Sequence, residues 1–375
     1  MKILVISHDA TRTGATILLL NLLELFSKKN YQVDVLIKRS GEISDQFDKM
    51  FPTQQFYNPE PKPFFKRVYS RMNRALTGKI QYPYTTKKYD LIINNTITNG
   101  DILIYYKNSN IITYIHELEH FINAHINEAE LKINLSNTKL FLYPSISVKN
   151  MLINKLQVDE SKLGYLPYYI KDYLNEKQPA RNKIRKSLNI QDDQILIGAM
   201  GATDWRKGSD FFLMLANELK NDTRFKFIWV GSDVARANKF FNQMKFDKEK
   251  LGLNNLGMIP SIPDSWQYFA AMDLFFLSSR EDPYPLVVLE AAMMELTIAC
   301  FEGTGGANEF VANDCGVSLP YLSLDAAKNF LTDFQENNDK YALMATNARE
   351  KYKILHSSET VLDHFEKIIS KVNQL

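Results

Sequence analysis

The sequence predicts an α/β protein of two doubly wound, Rossmann-like domains facing across a cleft. Three observations carry that prediction. Short, continuous apolar runs alternate with segments of helical periodicity, the pattern of parallel sheets covered by helices on both faces. The alternation breaks at a polar stretch and restarts near residue 190. The chain has 375 residues, too long for one ordinary core and suited to two.

KILVIS (2–7) reads as a buried strand, ATILLLNLLELFSKK (15–29) as the helix after it, and YQVDVLIK (31–38) as the next strand. DLIINN (90–95), IITYI (111–115) and KLFLYPS (139–145) continue the first sheet. KDYLNEKQPARNKIRK (171–186) reads as a polar link. QILIGAMG (194–201), FKFIWVGS (225–232), DLFFLSS (273–279) and TIACFEG (297–303) supply the second sheet, with DFFLMLANELK (210–220) a helix between its first two strands. SSETVLDHFEKIISKVNQL (357–375) has apolar helical periodicity.

Composition excludes several classes. Hydrophobic residues at 45% and charged residues at 23% are those of a soluble globular protein. A net charge of +2 gives no argument for nucleic acid. The two cysteines, Cys300 and Cys315, make no disulfide framework and fit a reducing compartment. No apolar run reaches the roughly 18 residues of a membrane span. MKILVISHDATRTG is not a signal peptide, because His8, Asp9 and Arg12 follow its short apolar run at once. The expected location is cytoplasmic. One segment, PKPFFKRVYSRMNRALTGKIQYPYTTKK (61–88), is basic, lacks acids and carries Phe64, Phe65 and Tyr69. It suits an anionic membrane surface or an anionic acceptor, beside the plain reading of a solvated basic helix and loop.

HELEH (116–120) matches the zinc-binding pattern H-E-x-x-H. That chemistry needs both histidines on one helical face and a third ligand. IITYI before it is a strand pattern, and Asn123 and Ile126 stand where an extended zinc motif needs glycine and histidine. No metal site is expected.

SSREDPYPLVVLEAA (278–292) is richer. It follows an apolar strand, and Pro285 fits the first position of a helix. The amides of Leu286 and Val287 are then free donors at a helix N-terminus, an anion site suited to phosphate. Asp282 in the loop and Glu290 in the helix flank it, as hydroxyl acceptors for a sugar and a ribose. The plain alternative is an ordinary loop with Glu290 on a solvated face, but a carboxylate in so apolar a stretch needs a partner. In GAMGATDWRKGSDFFLML (198–215), Gly198 and Gly201 allow close approach after a strand. Arg206 and Lys207 precede a helix and can neutralise a diphosphate. Basic residues before helices are common, so this feature alone decides nothing.

Together these residues resemble a retaining nucleotide-sugar glycosyltransferase of family four, the group 1 glycosyltransferases, with the GT-B fold. GATDWRKGSD is similar to the family's glycine-then-Lys-Gly stretch and SREDPYPLVVLEAA to its E-x7-E segment. VGSD (230–233), GMIPS (257–261) and GTGGANEFV (303–311) follow in the family's order. HDATRTGAT (8–16) resembles the loop that approaches the donor phosphates, through Gly14, and YIHE (114–117) the strand end that places a histidine in the cleft, touching the transferred sugar or the acceptor. There are three departures. Asp282 is the first acid of E-x7-E, with Glu281 beside it. Ala202 stands where relatives carry a basic residue. Gly14 stands alone where a glycine pair is frequent.

The resemblance implies an acceptor-side domain over 1–175, a nucleotide-sugar domain over 176–355, and a final helix, 356–375, packing back on the first domain. It implies transfer with retention from a UDP- or GDP-linked sugar to a glycan or glycolipid in bacterial surface polysaccharide or glycoconjugate synthesis. Catalysis falls to His116, Asp282, Arg206 and Lys207. Donor binding falls to Gly14, Gly201, Arg206, Lys207, Asp282, Pro285, Leu286, Val287 and Glu290. The chain contains no D-x-D triplet, so neither a metal nor another cofactor is expected. The expected partners are the donor, the acceptor and anionic membrane, at the inner face of the cell membrane. The competing readings are a sugar-nucleotide epimerase on the same fold, a zinc hydrolase, and a non-catalytic membrane-associated binding protein.

Overall fold

Parallel strands of isoleucine, leucine, valine and phenylalanine build two separate sheets. The computed structural model describes residues 1–56, 84, 87–106, 109–232, 239–312 and 314–374. These fall into two units. The first comprises Met1–Tyr143, Leu152–Leu166 and Leu362–Leu375, the second Pro144–Met151 and Pro167–Val361.

The first unit has β1 (Lys2–Ser7), β2 (Gln32–Ile37), β3 (Thr53–Gln55), β4 (Leu91–Asn94), β5 (Ile111–Tyr114), β6 (Leu140–Tyr143) and β7 (Leu163–Tyr165). Their order in the sheet is β3-β2-β1-β4-β5-β6-β7, with every pair parallel. Val5 of β1 lies between Val35 and Ile93, and Ile3 to Ile6 are wholly buried, as a strand covered on both faces requires. The helices are α1 (Gly14–Lys28), α2 (Ser44–Met50), α3 (Gly100–Leu103), α4 (Glu119–His125), α5 (Glu128–Asn137) and α6 (Ile146–Asn154), the last shared with the second unit.

The second unit has β8 (Ile195–Met200), β9 (Phe225–Ser232), β10 (Leu256–Pro260), β11 (Leu274–Leu277), β12 (Thr297–Phe301) and β13 (Val317–Leu319), in the order β10-β9-β8-β11-β12-β13 and again parallel. Its helices are α7 (Lys177–Ser187), α8 (Ser209–Glu218), α9 (Lys239–Lys250), α10 (Trp266–Ala271), α11 (Leu286–Met293), α12 (Gly306–Val311), α13 (Leu324–Glu336) and α14 (Asn338–His356). The core is aromatic: Phe212 meets the rings of Phe227 and Trp229 edge-on at 5.5 and 5.8 Å. In both sheets the strand order reverses beside the first strand, between β1 and β4 and between β8 and β11. Ligands of such sheets bind at the carboxyl ends of the strands around that reversal.

The final helix, α15 (Ser358–Gln374), starts after the extended Ser357, and from Leu362 it belongs to the first unit. There Phe365 packs on Phe26 of α1 at 4.6 Å, and Lys371 Nζ donates to the Leu163 carbonyl at 2.8 Å.

The structure departs from the sequence reading in two places. The polar stretch 171–186 is not a plain link, because most of it forms α7. Buried Arg185 explains this: its guanidinium donates to Asp273 and to the carbonyls of Ala271, Gln191 and Gln194. The edge strands β3, β7, β10 and β13 carry no sequence signal of their own. Three have only three residues, and β10 contains Gly257 and Pro260. The basic segment 61–88 lies outside the described residues except for Tyr84, Lys87 and Lys88, as does Asp233 of VGSD. Lys87 Nζ pairs with Asp34 at 2.9 Å and sits 4.3 Å from the Tyr84 ring centre. No helix among the described residues is long and apolar enough to cross a membrane.

Candidate active site

The strap from Ser278 to Pro285 joins β11 to α11, at the strand-order reversal of the second sheet. It is tied along its length. Ser278 Oγ donates to the Lys207 carbonyl at 2.9 Å, and the Arg280 amide to that of Arg206 at 2.7 Å. The Asp282 amide donates to Thr304 at 2.7 Å, and the Gly306 amide returns to the Asp282 carbonyl at 3.2 Å. The Asp282 side chain is 7% exposed. It pairs with Lys207 Nζ and lies 4.0 Å from Arg206 Nη1. Arg206 Nη1 also donates to the Glu281 carbonyl at 3.0 Å.

Pro285 precedes the helix instead of opening it. It occupies the cap position in an extended conformation, and Leu286 is the first helical residue. This helix end has no side-chain cap and no acid in its first turn. The amides of Leu286 and Val287 therefore present the positive end of the helix without a neutralising carboxylate.

The loop from Gly201 to Gly208 carries the cations. Gly201 ends β8, and a Cβ there would sit 3.3 Å from the methylenes of Lys207, so the lysine stem lies over it. Gly208 has φ +68, and a Cβ on it would fall 1.9 Å from the Ser278 carbonyl oxygen. Only glycine brings this loop so close to the strap. The Lys207 amide donates to Asp204 at 2.7 Å. Arg280 braces the other side. It forks onto both carboxylate oxygens of Asp210 at 2.8 and 2.9 Å and lies 5.0 Å from the Trp205 ring centre. Burial lowers the Lys207 pKa, while Asp282 beside it acts in the opposite direction.

Glu290 lies further along α11, partly buried between Leu289 and Ala291. Nothing among the described residues pairs with its carboxylate, and burial pushes its pKa up to about 7. Buried carboxylates are normally hydrogen-bonded or paired, so this one is poised for donors from a ligand.

Gly14 and His116 belong to the first unit. Gly14 opens α1, whose N-terminus also lacks a side-chain cap and an acid. In the loop before it, Asp9 Oδ1 accepts from the Thr11 amide at 3.0 Å and from the Thr16 hydroxyl at 3.2 Å. His116 lies beyond β5 and outside any helix, since α4 starts only at Glu119. His116 and exposed His120 therefore do not share a helical face, and HELEH is not a metalloprotease helix. No group of three or more His, Cys, Asp or Glu side chains among the described residues could hold a metal ion. Asn95 Nδ2 donates to the Ala15 carbonyl at 2.9 Å, which turns its oxygen toward His116 Nε2 at 3.1 Å. Nε2 therefore carries the imidazole proton. Burial, then neighbouring His8, depress the His116 pKa to about 3, so the ring is neutral. Glu117 is buried, accepts from Thr96 Oγ1 and from the His116 amide, and is pushed up to about 7 by burial.

Arg206, Lys207 and Asp282 thus come together over Gly201, with Pro285, Leu286, Val287 and Glu290 continuing from the same strap into one helix. Sequence reasoning missed Asn95, Glu117 and the Asp210–Arg280 brace. DLIINN gave a faint signal, since two asparagines close an apolar strand.

Residues 180–351 match the model of the family "Glycosyl transferases group 1". The chain is 25% identical over 229 residues to alpha-galactosylglucosyldiacylglycerol synthase of Streptococcus pneumoniae, covering 56% of each protein. It is 28% identical over 173 residues to soluble starch synthase 1 of Oryza sativa subsp. japonica, covering 44% of this chain and 26% of that one. Among solved structures, Anabaena HepE in complex with UDP and glucose superposes with a TM-score of 0.80 at 17% identity, covering 99% of both chains. Sucrose-phosphate synthase from Thermosynechococcus elongatus does so with a TM-score of 0.76 at 18% identity, covering 100% of this chain and 99% of that one. These likenesses show the two-Rossmann GT-B fold, and residues 180–351, which hold Asp282 and Glu290, match the group 1 glycosyltransferases.

Proposed function

We propose that the chain transfers a sugar, with retention of configuration, from a nucleoside diphosphate donor to a glycan or glycolipid acceptor, without a metal. The observation that carries this is the unpartnered Glu290 carboxylate on the same helix whose open N-terminus follows the Asp282–Lys207 pair. Glu290 accepts from the ribose hydroxyls. The amides of Leu286 and Val287, with Arg206 and Lys207, hold the diphosphate. Asp282 accepts from hydroxyls of the transferred sugar.

As the glycosidic bond breaks, negative charge grows on the leaving diphosphate and positive charge on the anomeric carbon. Fixed cations and helix amides stabilise the first without reorganising. A phosphate reaching Lys207 adds a second anion beside it, which favours the charged form that burial disfavours. The acceptor hydroxyl attacks from the face the diphosphate leaves. Neutral His116, its Nε2 proton held by Asn95, orients a sugar or acceptor hydroxyl. HepE has been seen with UDP, and the pneumococcal relative is named for a glycolipid product. A UDP-linked donor and a glycolipid or polysaccharide acceptor are the corresponding assignments, with the enzyme peripheral at the inner face of a bacterial membrane.

Calorimetric titration with UDP and GDP, each with and without EDTA, tests the site. One nucleotide binds equally well in EDTA, Glu290→Ala weakens it by about tenfold or more, and Asp282→Ala leaves it nearly unchanged. Binding that needs a divalent ion, or that ignores Glu290→Ala, contradicts the reading.

A further inference from the structure

Tyr284 is the one residue between the two prolines of the strap. Pro283 and Pro285 lack amide hydrogens, so the strap cannot be fastened through its backbone donors at these positions. Its carbonyls are held instead. Ser145 Oγ donates to the Pro283 carbonyl at 2.7 Å, and the Gly306 amide donates to the same oxygen at 3.1 Å. The side chain of Tyr284 is buried and lies edge-on to Tyr168, with ring centres 5.5 Å apart. Its hydroxyl reaches His356 Nε2 at 3.1 Å.

His356 is the last residue of α14 and is wholly inaccessible to solvent. Its Nδ1 lies 2.7 Å from the Tyr168 carbonyl, which can only accept, so Nδ1 carries the proton and Nε2 offers a lone pair. The Tyr284 hydroxyl therefore donates. Burial depresses the imidazole pKa to about 4, so this polarity persists at neutral pH. Tyr352 and Phe310 pack around the ring at 6.3 and 6.2 Å, which fixes its plane.

We propose that His356 is a positioning residue for sugar transfer: through the Tyr284 hydroxyl it clasps the strap and sets where Asp282 meets the donor sugar. This rests on the donor site described above. Helix α11 has its own anchors, since Val288, Leu289, Ala291 and Ala292 are buried. A loosened strap therefore displaces Asp282 more than it displaces Glu290.

The test compares the wild-type chain with His356→Phe, Tyr284→Phe and the double variant. Tyr284→Phe leaves His356 Nε2 unsatisfied, and His356→Phe strips both the Tyr284 hydroxyl and the Tyr168 carbonyl of their partner. Removing both leaves only the Tyr168 carbonyl without its donor, which regains the stability lost at the hydroxyl–imidazole contact. The double variant thus separates positioning from mere folding. Two readouts are taken: hydrogen exchange at the Asp282 amide in the ligand-free chain, and UDP release from UDP-glucose. The double variant is expected to regain thermal stability, yet to exchange at Asp282 about tenfold faster than wild type. Its turnover is expected to fall about tenfold or more, with UDP affinity within about twofold. Unchanged exchange in the double variant overturns the clasp. Faster exchange with unchanged turnover overturns its role in positioning. If the wild-type chain neither binds UDP nor releases it from UDP-glucose, the donor reading fails instead, and exchange at Asp282 still decides whether His356 holds the strap.

Discussion

Glu290 concentrates the residue-scale account. In the unfolded chain it ionises near the ordinary 4.5, whereas the native chain keeps its proton up to about 7. Within that window the native state binds the extra proton, so this group's contribution to stability falls as pH rises. Ribose hydroxyls need the ionised form, so donor binding runs the other way. UDP affinity should rise roughly tenfold per pH unit below the shifted pKa and level off above it. Calorimetry across that range should show this slope in the wild-type chain and a flat, weak response in Glu290→Gln. An equal slope in both would place the titrating group elsewhere. The sequence made Glu290 visible because a carboxylate flanked by Leu289 and Ala291 demands a reason. It could not reveal Glu117 or His356. Each acquires its shifted pKa from burial in the folded chain, against the opposing pull of Thr96 on Glu117 and of the Tyr168 carbonyl on His356. HELEH misleads for a related reason, because its pattern is helical while β5 ends at Tyr114 and the next helix starts only at Glu119, which leaves His116 outside any helix.

At the scale of elements, the donor side depends on the Gly201–Gly208 loop lying against the strap. Gly208→Ala would force a methyl group within 1.9 Å of the Ser278 carbonyl and also strain a positive φ. The expected cost is about 3 kcal/mol or more, read as a lower urea midpoint, and UDP binding should weaken with it. A stable variant with intact binding would mean that the loop and strap are free to part. Helix α7 offers a separate test. Arg185→Met leaves Asp273 with one fewer cation and empties hydrogen bonds to three carbonyls. A loss of about 3 kcal/mol is expected in the same assay. Central strands were legible because their apolar runs are continuous. α7 was not, since its composition is that of a linker and its helix is secured by two arginines, Arg181 and Arg185, reaching Asp273 and carbonyls far along the chain. The short edge strands were illegible because three residues carry no period.

For the whole molecule, the strand alternation and its restart predicted two parallel-sheet units, and both form. The family match falls within the second unit, where Arg206, Lys207 and Asp282 gather and α11 presents an uncapped N-terminus. The first unit offers a different inventory: neutral His116, Asn95 and the open end of α1. Under the proposed function no motif names the acceptor, because recognition of a glycan depends on loops whose residues have no fixed pattern. The chain spans 56% of the glycolipid synthase and 26% of the starch synthase it resembles, so acceptor and linkage must come from experiment.

The most direct measurement is release of UDP from a panel of UDP-sugars by the wild-type chain and by Lys207→Met, with and without EDTA. The account predicts release from at least one donor, undiminished by EDTA and reduced about a hundredfold or more in Lys207→Met. Release that vanishes in EDTA and returns with a divalent ion, or that survives loss of Lys207 unchanged, would contradict it.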